Sequence, residues 1–130
     1  NEIIRTCREE SEKDSGFAQK QFIFTVSPIR HFKDGAHGNQ LSKSALLLGA
    51  DKAIQSNLAS ADYFPAYEIV MDELRDYRFY AEDMCHPSGQ TVDYIRKRFL
   101  NWALPAAEHS TLETKQKEFK RSCHRSLSTL

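Results

Sequence analysis

The chain has 130 residues, enough for one ordinary domain or for part of a larger one. Its 18 Lys and Arg balance 18 Asp and Glu, so no basic excess exists to neutralise a phosphate backbone, and nucleic-acid binding is disfavoured. Hydrophobic residues make up 40% of the sequence, yet no apolar run approaches the roughly 20 residues of a membrane-spanning helix. The composition therefore predicts a soluble globular protein with neither nucleic-acid nor membrane partners.

The cysteines are few and far apart in the sequence. Cys7, Cys85 and Cys123 form an odd set at wide spacing, which excludes a disulfide framework and a Cys-x-x-Cys zinc knuckle. This usage predicts a cytoplasmic location. A helical pattern is already present from Glu2 onward, so we expect the true start of the domain to lie upstream.

The first half of the chain alternates helical and extended patterns. After the opening helix, residues 21–27 carry apolar side chains on both faces, which favours a strand buried in a parallel sheet. Residues 30–39 are polar with two glycines and predict a loop. A helical spacing of apolar residues follows over 41–58.

The second half adds one weak strand and three helices. The predicted elements are a short strand over 61–65, a helix over 67–77, a break over 83–88, a helix over 92–102 that Pro105 ends, and an exposed helix over 106–130. Alternating strands and helices predict an α/β fold with a doubly wound parallel sheet, of which this chain supplies about two strands and four to five helices. We assign residues 1–105 to the domain and 106–130 to a helical tail.

The two strand ends locate the expected binding site, because open parallel sheets bind ligands beyond the carboxyl ends of their strands. Arg30 and His31 follow the first strand, where they could receive an anionic substrate group. The competing interpretation is a surface ion pair between Arg30 and Asp34. Tyr67 follows the second strand and could line an aromatic pocket, although packing in the core is the commoner use of such a residue.

An Asp-x-x-His motif precedes the helix over 92–102. A carboxylate on one imidazole nitrogen fixes the tautomer, and the other nitrogen can then take a proton from a weak hydroxyl nucleophile. Asp83 and His86 fit that chemistry, but a capping or salt-bridging role is an open alternative. Asp34 and His37 match the same pattern. No further ligands stand at zinc spacing around Cys85, so no metal or cofactor is predicted.

Several uncommon blocks resemble the GSCFA family of bacterial proteins when they are taken in order. The blocks are Phe24-Thr-Val-Ser-Pro-Ile-Arg-His31 with Lys33-Asp-Gly35, Asn39-Gln-Leu-Ser-Lys43, Tyr63-Phe-Pro-Ala-Tyr-Glu-Ile69, Asp72-Glu-Leu-Arg-Asp-Tyr-Arg-Phe-Tyr80 and Asp83-Met-Cys-His-Pro-Ser88. The resemblance implies an SGNH hydrolase-like, flavodoxin-like α/β fold whose last block supplies the Asp83 and His86 members of a triad. The family's Gly-Ser-Cys-Phe-Ala segment, expected to hold the nucleophilic serine, does not occur here. The chain thus resembles the carboxyl-terminal part of such a domain.

Two functions of different class follow from the sequence. The first is an acyl-ester hydrolase or acyltransferase, as the resemblance implies, acting on a small-molecule or carbohydrate acyl ester, with His86 and Asp83 as catalytic residues. Arg30, His31 and Tyr67 would bind its substrate, and this chain alone would be inactive. The second is a non-catalytic binding or interaction module. In either case, the absence of earlier strands predicts self-association through the exposed apolar surface.

Overall fold

The computed structural model describes residues 2–13 and 20–125. It contains five α-helices and two strands: α1 (Glu2–Lys13), β1 (Phe22–Phe24), α2 (Gly35–Gln55), β2 (Ala61–Tyr63), α3 (Ala66–Glu68), α4 (Gly89–Ala103) and α5 (Ala106–Arg125). Helix α3 continues as a π-helical turn over Ile69–Leu74, and single 3₁₀ turns lie at Phe32–Asp34 and Tyr77–Phe79. The predicted class, a helix-rich α/β fold with two strands in this chain, is confirmed.

The two strands pair in parallel, with Phe22 opposite Ala61 and Phe24 opposite Tyr63. Two flanking bonds of 2.8 Å extend the pairing, one from the backbone N–H of Phe22 to the carbonyl of Ser60 and one from the N–H of Phe64 to the carbonyl of Phe24. Helix α2 forms the crossover that parallel strands require. The weak second strand is therefore real, because Pro65 lies beyond its last paired residue and removes no bond from the ladder.

The first strand is shorter and more exposed than its sequence indicates. The pattern over 21–27 predicts a strand buried on both faces, whereas only Phe22–Phe24 pair and Ile23 is 42% exposed. Within the described residues, the sheet has no strand beyond β1, so one edge and one face of β1 lack the cover that a larger sheet supplies. Self-association through this apolar surface stays a prediction.

The loop predicted over residues 30–39 is wrong in its second half, because α2 begins at Gly35. Gly35 has φ of +69°, a left-handed conformation that glycine adopts without steric cost, and this lets the chain turn from the preceding 3₁₀ turn straight into the helix. His37 consequently lies in the first turn of α2 and not in a loop. The helix also ends at Gln55, before the predicted end at residue 58.

The chain divides into two compact units, residues 1–92 and 93–130. The buried apolar residues belong to the first unit: Ile4, Val26, Ala61, Phe64, Ala66, Tyr67, Ile69, Val70 and Tyr80. The second unit holds most of α4 and all of α5, whose side chains are largely exposed, as the sequence predicts. Residues 126–130 of that predicted helix lie outside the described residues, and the domain boundary at 105 stays a prediction. Among the described helices, none is both long enough and apolar enough to cross a membrane.

Candidate active site

A tight turn between β2 and α4 brings Asp83 and His86 together. One carboxylate oxygen of Asp83, Oδ1, accepts 2.9 Å hydrogen bonds from the backbone N–H groups of both Cys85 and His86. The turn is closed by a 2.8 Å bond from the N–H of Ala81 to the carbonyl of His86, and Met84 adopts φ of +58° within it. Aspartate commonly organises turns in this way, because its short side chain reaches the backbone two and three residues on.

The second carboxylate oxygen, Asp83 Oδ2, lies 2.6 Å from His86 Nδ1. Nδ1 faces the carboxylate, Nε2 is the ring nitrogen that does not contact Asp83, and the His86 side chain is 61% exposed. The backbone N–H of His86, then that of Cys85, and then the imidazole lower the pKa of Asp83 to about 2. The carboxylate is therefore ionised at neutral pH and can orient a neutral imidazole or stabilise an imidazolium.

This turn is fixed to the start of α4 by a small hydrogen-bond network. Ser88 caps the helix, since its Oγ accepts from the N–H of Thr91 at 3.3 Å. Thr91 is fully buried, and its hydroxyl donates to the carbonyl of Phe79 at 2.6 Å. The N–H of Ser88 donates to the same carbonyl at 2.9 Å. The network joins the Asp-His turn to the first residues of α4, which belong to the first unit.

The loop after β1 is joined to the same turn. The backbone N–H of Arg30 donates to the carbonyl of Cys85 at 3.1 Å, and the thiol of Cys85 donates to the carbonyl of Arg30. The Arg30 guanidinium lies over the rings of Tyr77 and Tyr80, at 4.9 and 4.4 Å from their centroids. In the described part of the chain no carboxylate lies within ion-pair distance of Arg30, so the alternative pairing with Asp34 is not formed.

A cavity of about 190 Å³ opens between this loop and the first turns of α2. Its lining residues are Pro28, Ile29, Arg30, Phe32, Ala36, Asn39, Gln40, Tyr67 and Met71. Two of the three predicted substrate-binding residues, Arg30 and Tyr67, thus line one cavity. His31 is not among the lining residues, and only its backbone N–H takes part, donating to Asn39 Oδ1 at 2.9 Å. Asp83 and His86 do not line the cavity either.

Three residues of α2 lie in or near the cavity, although their sequence pattern did not indicate a role there. Asn39 and Gln40 line the cavity, and the hydroxyl of Tyr67 donates to Gln40 Oε1 at 3.3 Å. Lys43 is only 2% exposed and donates from Nζ to the carbonyl of Ser27 at 2.7 Å. The spacing of four between Asn39 and Lys43 could have placed them on one helix face, had the helix been predicted from residue 35.

The second Asp-x-x-His match has a different environment. Asp34 and His37 are both exposed, and no hydrogen bond or ion pair joins them in the described part of the chain. Among the side chains that the structure describes, no three from His, Cys, Asp or Glu are grouped closely enough to hold a metal ion. Of the two matches, only Asp83 and His86 form a connected pair.

The Asp-His pair lies on a turn that is joined to the loop after a parallel strand. This arrangement in an α/β unit is found in hydrolase-like proteins. A family model, described as the GSCFA family, matches residues 2–99 of this chain. The chain therefore belongs to the GSCFA family, which confirms the resemblance and extends it to α1. No curated protein and no solved structure matched the chain. Family membership suggests a hydrolase-like protein.

The hydrogen bonds to Asp83 predict how the turn responds to acid. With a folded pKa of about 2 against an ordinary value of 3.8, the ionised carboxylate stabilises the turn above about pH 4 and loses this effect as pH falls through about 2. An NMR titration of the Asp83 carboxyl should give a midpoint of about 2. In a His86→Ala variant the midpoint should stay below 3.8, because both backbone donors remain. A wild-type midpoint at the ordinary value would show that the turn does not form.

Proposed function

We propose that the protein is an SGNH-type acyl-ester hydrolase or acyltransferase that acts on an acylated carbohydrate. The observation that carries the proposal is the 2.6 Å contact between Asp83 Oδ2 and His86 Nδ1. Asp83 keeps the proton on Nδ1, so that Nε2 presents a lone pair, and it stabilises the imidazolium once Nε2 has taken a proton. His86 is then the general base and Asp83 the orienting carboxylate.

The reaction has two halves in this scheme. A serine hydroxyl gives its proton to His86 Nε2 and attacks the ester carbonyl, and the imidazolium returns the proton to the departing sugar oxygen. In the second half, water or an acceptor hydroxyl gives its proton to His86 Nε2 and attacks the acyl carbonyl, and the imidazolium returns the proton to the serine oxygen as the acyl–serine bond breaks. Water as acceptor gives hydrolysis, and a hydroxyl gives acyl transfer.

The nucleophilic serine of this scheme lies outside the described residues. None of the described serine hydroxyls is within hydrogen-bond distance of His86. Ser27 Oγ instead accepts from the N–H of Ile29 at 3.3 Å, and Ser88 Oγ is engaged with Thr91. The proposed cytoplasmic location rests separately on the cysteine usage of the sequence.

The test compares the complete gene product with the 130-residue chain, using p-nitrophenyl acetate and an O-acetylated sugar as substrates. We expect the complete product to release acetate from at least one of them, and the 130-residue chain to show no turnover above background. If the short chain is active and Ser27→Ala or Ser88→Ala abolishes its activity, a local serine is the nucleophile. If the complete product neither turns over an ester nor reacts with a fluorophosphonate, the protein is a non-catalytic binding module.

A further inference from the structure

The cavity between the β1 loop and α2 has a positive electrostatic character. Its lining includes one cation, Arg30, and no carboxylate. A second cation lies close by, because Lys43 Nζ is 5.9 Å from the centroid of the Tyr67 ring, and Tyr67 lines the cavity. Charge of one sign in a partly enclosed site attracts a ligand of the opposite sign.

Lys43 has no counter-ion among the residues that the structure describes. Its side chain is almost wholly buried and donates to the carbonyl of Ser27, yet among the described residues no carboxylate lies within 4.0 Å of its ammonium. Burial lowers the pKa of Lys43, which reflects the cost of removing the charge from water. A buried charge is costly unless a charge of opposite sign compensates it. A bound anion in the neighbouring cavity would supply that compensation.

The polar groups of the cavity are arranged mainly as donors. Asn39 Oδ1 accepts from the N–H of His31, and Gln40 Oε1 accepts from the hydroxyl of Tyr67. The oxygen of each amide is thus used within the protein, which leaves the two NH₂ groups as the donors available to a ligand. Arg30 also lines the cavity, so the lining offers two amide NH₂ groups and one cationic residue as donors for the two oxygens of a carboxylate.

We propose that this cavity is a subsite for a carboxylate on the substrate, so that the ester acted on is that of an acidic carbohydrate such as a uronic acid. This inference rests on the proposed function for the identity of the bond that reacts, but the binding of the carboxylate does not depend on catalysis. The cavity of about 190 Å³ is smaller than the roughly 300–1,000 Å³ of common small-molecule sites, which suits a single sugar ring.

The binding test is an NMR titration of the 130-residue chain with D-glucuronate, and with D-glucose at equal concentration and ionic strength as the matched neutral sugar. Glucuronate should shift the backbone amides of Arg30, Asn39 and Gln40, and its Kd should be about tenfold lower than that of glucose, as one charge-assisted hydrogen bond provides. Arg30→Gln should remove this tenfold preference. Gln40→Ala, at an exposed position, should weaken glucuronate binding without loss of fold.

A matched control and a negative outcome complete the test. Lys117→Gln removes one positive charge from an exposed position of α5 and should leave the titration unchanged. Equal binding of glucose and glucuronate, equal binding of inorganic phosphate and glucuronate, or an unchanged preference in Arg30→Gln would each overturn the carboxylate subsite. His86→Ala should bind glucuronate normally. Preferential glucuronate binding together with a complete gene product that turns over no ester would refute the proposed function alone, whereas ester turnover without a preference for glucuronate would refute this subsite alone.

Discussion

Replacement of His86 by alanine is expected to lower kcat by about 10³-fold or more in the complete gene product, measured on any ester that it hydrolyses. The substitution removes the only group placed to accept the proton of the nucleophile in the proposed mechanism. Asp83→Ala should cost less, because an imidazole without its orienting carboxylate still accepts a proton. Steady-state kinetics should show both losses mainly in kcat, since neither residue lines the cavity assigned to substrate binding.

His37 is the matched control for this experiment. It stands at the same place in the second Asp-x-x-His match, it is exposed, and it lies in the first turn of α2. His37→Ala should leave kcat within about twofold of wild type, as expected for a side chain away from the reacting atoms. An essential His37 with a dispensable His86 would show that the general base belongs to the first turn of α2.

The Ile4→Ala substitution is expected to lower the free energy of unfolding by about 2–4 kcal/mol, as large-to-small changes in a core do. Ile4 is 1% exposed although it belongs to α1, and this helix also contacts the sheet region through a hydrogen bond from the Arg8 guanidinium to the Ser60 hydroxyl. Urea denaturation of the 130-residue chain provides the measurement.

The Ile3→Ala variant is the matched control for this experiment. Ile3 is the neighbouring residue of the same type in the same helix, but it is 77% exposed. Ile3→Ala should change the free energy of unfolding by no more than about 0.5 kcal/mol, and both variants share the same gain in helix propensity. Equal effects of the two substitutions would mean that α1 does not pack against the rest of the first unit as described.

The features of this protein that depend on local chemistry can be predicted from its sequence. The α/β class follows from alternating periodicities, and the Asp83 turn follows from a short carboxylate that can reach the backbone two and three residues on. Uncommon blocks of residues in order also sufficed to indicate the GSCFA family. Helix α4 could be placed within a few residues, because Ser88 is a good cap and Pro105 stops the chain from continuing as a helix.

Contacts between residues far apart in the chain emerge only from the folded protein. The local sequence does not show that the backbone of Arg30 bonds to Cys85, or that the ammonium of Lys43 lies over the ring of Tyr67, because these contacts bridge separate elements. For a related reason, the sequence pattern predicts more burial of Ile23 than the structure shows. Its apolar character suits a covered strand, but exposure depends on the neighbours of β1, and the described residues supply only one neighbouring strand.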